Sequence, residues 1–146
     1  MNQSQIIKNR YGYGVGTIGR DAVYTLISMF QMFYLTDILK ISNRALGILT
    51  IFLIFSRIYD GVNDPIMVII VDNTKSKYGK FKPWMFVGAI LSGIFAIVMF
   101  TDFTLSETGF IFMLCISYLL FEMAFTANDI AFWSMLPALS QEQEER

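Results

Sequence analysis

Four apolar stretches, each parted from the next by a short charged segment, fill most of this chain, and that pattern leaves few folds open. Of 146 residues, 55% are apolar and 16% charged, whereas soluble domains carry about a quarter charged residues. A chain this short leaves much of its surface facing its surroundings, so the apolar excess points to a lipid bilayer. The net charge of −1 sets up no field that would recruit nucleic acid. With no histidine in the sequence, the usual general base, most zinc sites and the Ser-His and Cys-His nucleophile pairs are gone, and no enzyme is expected. Cys115 is the single cysteine, which excludes an intrachain disulfide.

Crossing about 30 Å of hydrocarbon takes roughly 20 helical residues. Spans are expected at approximately residues 10–37, 45–71, 83–101 and 109–137, with a connecting loop at 72–82. The first span is the informative one. Its charge-free part, Ala22 to Thr36, is 15 residues and covers only about 22 Å at 1.5 Å per residue. The helix must therefore begin near Arg10 and carry Arg20 and Asp21 into the membrane, with Gly12, Gly14, Gly16 and Gly19 in its first half, where small residues let another helix approach. Lysine and arginine in the flanks divide seven against two between the two sides. By the positive-inside rule both termini are expected in the cytoplasm and the protein in the cytoplasmic membrane. The polar start MNQSQIIKNR lacks a cleavable signal pattern, so the first span is expected to act as an internal signal anchor.

Seven ionisable residues lie within the spans: Arg20, Asp21, Arg57, Asp60, Asp64, Glu122 and Asp129. Each costs about 2.5–3.5 kcal/mol at the centre of a membrane helix, and such residues mark pathways and sites. Arg57 and Asp60, three residues apart on one face, can neutralise each other. Five carboxylates against two arginines still leave three that need protons or a cation. Glu122 is left outside the expected site, since it can face a neighbouring helix or stay protonated against a carbonyl. Counted from the cytoplasmic ends of their spans, Asp21, Asp60, Asp64 and Asp129 fall within about 8 Å along the membrane normal.

Spacing then groups the side chains. Arg57, Asp60 and Asp64 share a face of the second span with Asn63 at its flank, and Thr126, Asp129 and Trp133 share a face of the fourth. A hard cation such as sodium wants several oxygens, and two carboxylates, an amide carbonyl and a hydroxyl supply them. Trp133, one turn from Asp129, sets an apolar plate beside an acceptor, which suits a sugar with one CH face and many hydroxyls. By itself Trp133 could equally be an interfacial anchor.

Three motifs carry a resemblance: GRDAVYTL with YLTDIL in the first span, RIYDGVNDPIM running to DNTKSKYGKFKPW, and TANDIAFWSMLP in the fourth. The sequence resembles the glycoside, pentoside and hexuronide cation symporter family, the melibiose-permease-like branch of the major facilitator superfamily. The resemblance implies an all-α transporter of two six-helix halves rocking about a central site that binds sugar and cation together. This chain would be its first four helices, an incomplete amino-terminal half that is not expected to transport without the missing carboxy-terminal half. Carried over position by position, Asp60, Asn63, Asp64 and Thr126 look like the cation site, taking Na+ or H+. Asp21, Asp129 and Trp133 look like sugar-binding residues and Arg57 like a charge partner. The basic loop with Lys75, Lys77, Lys80 and Lys82 looks like the family's gating loop. No cofactor is implied beyond the coupling ion. Arg20 stands where that branch often has Lys, Phe125 where it can have Tyr and Ala131 where it can have Pro, departures that bear on the choice of sugar.

Two other readings compete. A small four-helix exporter working as a proton-coupled dimer fits the length and the even number of spans, but needs fewer acids than three helices supply here. An intramembrane aspartyl protease would use paired carboxylates to activate water. Tyr59-Asp60 resembles one half of such a pair, yet no GxGD partner motif is present.

Overall fold

The computed structural model of the protein describes residues 3–139. These form α1 (Gln3–Phe33), a π-helical turn (Tyr34–Ile38), α2 (Asn43–Asn73), α3 (Lys82–Met99) and α4 (Glu107–Leu139). The helices overlap the four apolar stretches, and residues 74–81 connect α2 to α3. α1 is helical through Arg20 and Asp21 and begins before Arg10. Among the described residues three helices are long and apolar enough to cross a membrane: α2, α3 and the Glu107–Leu136 part of α4. α1 is long enough but less apolar.

The contacts divide the chain into two units, one of α1 and its π turn with the end of α4 from Leu136, the other running from Ile41 to Met135. In the first, the turn widens where the Leu39 N–H reaches back to the Tyr34 carbonyl at 2.9 Å, and Leu35 is buried. Thr36 donates to the Met32 carbonyl at 3.0 Å. Lys40, in the left-handed region at φ 50°, ends the helical run. A Cβ built at Gly12, Gly14 or Gly19 would meet nothing within 4 Å.

The second unit is built around α4. Ser42 opens α2 as its N-cap, its hydroxyl accepting from the Ala45 N–H at 3.2 Å. The buried residues of α2, Ala45, Leu49, Ser56, Asn63, Met67 and Val71, recur at intervals of four and seven and so form one face. Ile51, Ile54, Phe55, Ile58, Val62 and Ile69 point outward, as a helix solvated by lipid tails allows. Pro83 sits in the first turn of α3, where its missing N–H breaks no helical bond.

Three pairings fix how the helices run. The Ser42 N–H donates to Glu107 Oε1 at 2.8 Å, and the Phe52 ring meets Tyr118 edge to face at 5.9 Å. Both pairs ascend together, so α2 and α4 are parallel. α3 runs against them. Near its start the Asn128 side-chain amide donates to the Met85 carbonyl at 2.6 Å.

This seam between α3 and α4 depends on a missing side chain. A Cβ at Gly88 would stand 2.7 Å from the Ala124 carbonyl oxygen and 2.9 Å from Asn128 Cβ. Backbone, not a movable side-chain tip, fills the space. Ser92, one turn on, is also buried, so α3 offers α4 a small-xxx-small face. Gly88→Ala is therefore expected to push the helices apart and to cost about 1–3 kcal/mol, the usual penalty of overpacking. A lowered midpoint of thermal unfolding in detergent checks this, and an unchanged midpoint contradicts it.

Candidate functional site

On α2 the polar groups cluster within two turns. Arg57 Nη1 stands 3.5 Å from Asp60 Oδ2, a loose ion pair on an arginine whose side chain is 65% exposed. The other carboxylate oxygen, Asp60 Oδ1, is buried with no hydrogen-bond partner, and so is Asn63 Nδ2. Asn63 is only 7% exposed. Buried polar atoms are normally satisfied, and these two stand three residues apart on one helix face. Asp64 is exposed beside them. Pro65 follows within the helix and has no N–H, so the Gly61 carbonyl loses its usual donor and adds a backbone oxygen next to the carboxylates.

On α4, Glu122 is buried, takes a hydrogen bond from Tyr118, and lies in the electrostatic field of Asp60, Arg57 and Asp64. Helical spacing lines up Tyr118, Glu122, Asp129 and Trp133 on one side of α4, with Thr126 at its edge. Ala124, Asn128 and Ala131 occupy the side turned to α3. Trp133 Nε1 donates to Asp129 Oδ1 at 3.1 Å, which holds the indole beside the carboxylate. Trp133 is exposed and Asp129 and Thr126 are half-buried.

The four expected cation residues are thus placed unevenly. Asp60, Asn63 and Asp64 sit together on α2. Thr126 makes no hydrogen bond to them, and among the described residues no three acidic or cysteine side chains converge closely enough to hold a metal. The expected sugar residues Asp129 and Trp133 are in contact. Asp21 belongs to the other unit, where Arg20 grips its Oδ1 through Nη2 at 2.9 Å and Nε at 3.1 Å.

The basic loop is a braced turn. The Ser76 carbonyl accepts from Gly79 N–H at 3.1 Å, and Gly79 has φ +91°, which suits glycine. Lys80 bridges to Asp72 at 2.9 Å and lies over the Phe81 ring, as Lys77 lies over Tyr78. Lys75, Lys77, Lys80 and Lys82 are all exposed. Trp84 Nε1 donates to Thr74 Oγ1 at 2.8 Å, tying the end of α2 to the start of α3.

A family model described as "MFS/sugar transport protein" matches residues 12–146. The chain belongs to this family. It is 31% identical over 144 residues to the lactose permease of Leuconostoc lactis, an alignment covering 92% of this chain and 22% of that protein. The raffinose carrier protein of Pediococcus pentosaceus is 29% identical, with 96% and 23% covered. The inner membrane symporter YicJ of Escherichia coli (strain K12) is 29% identical, with 96% and 30% covered. The chain therefore spans between about a fifth and a third of the length of these relatives. The family is one of membrane transporters, not enzymes, and its fold class is the all-helical one expected from the apolar stretches.

In this family member two groups near the α2 cluster are not picked out by the spacing argument. Glu122, outside the expected site, is buried on α4 within the electrostatic reach of Asp60, Arg57 and Asp64. The Gly61 carbonyl could have been found from Pro65 four residues on. The Trp84–Thr74 bond carries a direct test. Thr74→Val removes the acceptor, worth about 1 kcal/mol, so the loop should open roughly fivefold more often. Limited trypsinolysis after Lys75, Lys77 and Lys80 should speed up by that factor. An unchanged cleavage rate would show that the bond does not brace the loop.

Proposed function

We propose that these helices form part of the binding and coupling machinery of a symporter that moves a glycoside together with Na+ or H+ across the cytoplasmic membrane. The observation that carries this reading is the buried Asp60 Oδ1, which has no hydrogen-bond partner, beside the likewise unanswered Nδ2 of buried Asn63. A cation arriving there would be met by Asp60, Asp64, the Asn63 amide carbonyl and the Gly61 carbonyl, with Thr126 reaching the site when the helices close. Arg57 holds Asp60 while the ion is away. Both termini and the lysine-rich loop lie on the cytoplasmic side, which accords with the excess of basic residues in those segments.

The sugar would lie against the Trp133 ring with its hydroxyls donating to Asp129. The names of the relatives frame the substrate class as small glycosides: lactose, raffinose and, for a transporter of Lactiplantibacillus pentosus 28% identical to this chain, isoprimeverose. Coupling follows from charge. The ion neutralises the Asp60/Asp64 pair and orders α2 against α4, and the ordered pair presents the sugar-binding face. Alternating access also needs a second bundle to rock against, so the four helices in isolation are not expected to accumulate sugar.

Uptake of lactose, raffinose and isoprimeverose into membrane vesicles bearing the gene's complete product tests the reading. Accumulation of one of them should be stimulated by a sodium gradient or by external acid. Asp64→Cys should abolish the stimulation while leaving some sugar binding, and Asp129→Cys should weaken sugar binding more than tenfold. Wild-type coupling in both variants would overturn the assignment.

A further inference from the structure

Between α2 and α3 the chain carries four lysines against one acid, Asp72. The fold commits only one of the four to that acid, since Lys80 Nζ stands 2.9 Å from Asp72 Oδ1. Among the described residues Lys75, Lys77 and Lys82 have no acidic partner, and all three are exposed. Their setting is built. Lys77 and Tyr78 are the central pair of the turn that the Gly79 N–H closes on the Ser76 carbonyl, and the bond from Trp84 to Thr74 clamps its two ends together. Lysines that served only to orient the chain during insertion would need no such bracing.

α3 fixes the depth at which this turn lies. Its 18 residues cover about 27 Å at 1.5 Å per residue, barely the ~30 Å of a hydrocarbon core, so Lys82 at its start stands at the hydrocarbon edge. The apolar surface agrees. Ile69 and Ile70 near the end of α2, and Phe86 and Val87 near the start of α3, are exposed and need an apolar surrounding up to both ends of the turn. Tyr78 is 66% exposed, with Lys77 Nζ 4.9 Å from its ring centroid. An amphipathic ring of this kind is favoured at the level of the headgroups. At that level the anions a lysine meets first are lipid phosphates.

We propose that the turn between α2 and α3 is a docking surface for anionic phospholipids: Lys75, Lys77 and Lys82 bind the headgroup phosphates of the adjacent leaflet, with Tyr78 seated among them. The partner is the lipid surface itself, and the inference needs no symport activity. Each lysine near such a surface contributes about fivefold to binding, and the contribution falls as salt screens it.

The experiment uses the gene's complete product in nanodiscs of phosphatidylcholine alone and of phosphatidylcholine with about one part in three of phosphatidylglycerol. Chymotrypsin cleaves after exposed Tyr78, and its rate tracks the fraction of turns released from the surface. A fragment beginning at Gly79 is followed by mass spectrometry. Phosphatidylglycerol should slow its release at least fivefold, the share of a single lysine. Replacing Lys75, Lys77 and Lys82 together with glutamine leaves the cleavage site intact and should bring the two lipids within twofold of each other, which also cancels any effect of lipid on the protease. Equal rates for the wild type in both discs, or protection that survives in the triple variant, overturns the proposal. So does protection reproduced in phosphatidylcholine discs by millimolar glycerol phosphate, which would make the ligand a free phosphate. If the triple variant fails to insert, the wild type at high salt decides. Protection lost in about 0.5 M sodium chloride, with the rate in phosphatidylcholine as reference, supports the docking, and protection that persists there overturns it.

Discussion

A carboxylate held between two membrane helices has no bulk water to answer it, and the arrangement of α2 against α4 turns on how that demand is met. Arg57 answers one oxygen of Asp60, loosely. The other stays buried and open. Across the pair Glu122 leans on Tyr118. Asp60 is thus only partly satisfied, which is costly in a low-dielectric interior and is the condition in which an arriving ion changes the balance most.

The surroundings keep that partial satisfaction in place. Ser42 and Glu107 join the first turns of α2 and α4, and Trp84 ties α3 to the end of α2. Gly88 lets α3 and α4 approach backbone to backbone, with the Asn128 side-chain amide closing the seam on the Met85 carbonyl. Residues that look like packing detail therefore fix the face that α4 shows to α2. Rotation of α4 by one residue, about 100°, would carry Glu122 and Asp129 off that face together.

Much of this was legible in the sequence. The apolar stretches located the helices, the shortfall of charge-free residues after Asp21 required α1 to run through Arg20, and the three- and four-residue spacings put Asp60, Asn63 and Asp64 together. The burial of Glu122 near the charges of α2 was not legible, because α4 is apolar around most of its circumference and periodicity does not single out the face turned to α2. Nor did the sequence reveal which glycine mattered. Within the second unit the close approach is at Gly88, an isolated glycine whose importance depends on what stands opposite. The register of α2 against α4 is set by contacts such as Phe52 with Tyr118, far apart in sequence, and no local pattern encodes it.

The central claim is that ion and sugar bind to one coupled arrangement, and linkage gives it a sharp form: each ligand must tighten the other by the same factor. The measurement is a pair of titrations on the gene's complete product, sugar affinity with and without saturating ion and ion affinity with and without saturating sugar. Coupling through the Asp60 and Asp64 pair requires two equal factors of about fivefold or more. Two factors near one would mean that the ion and the sugar bind independently, and the coupled site described here would be wrong.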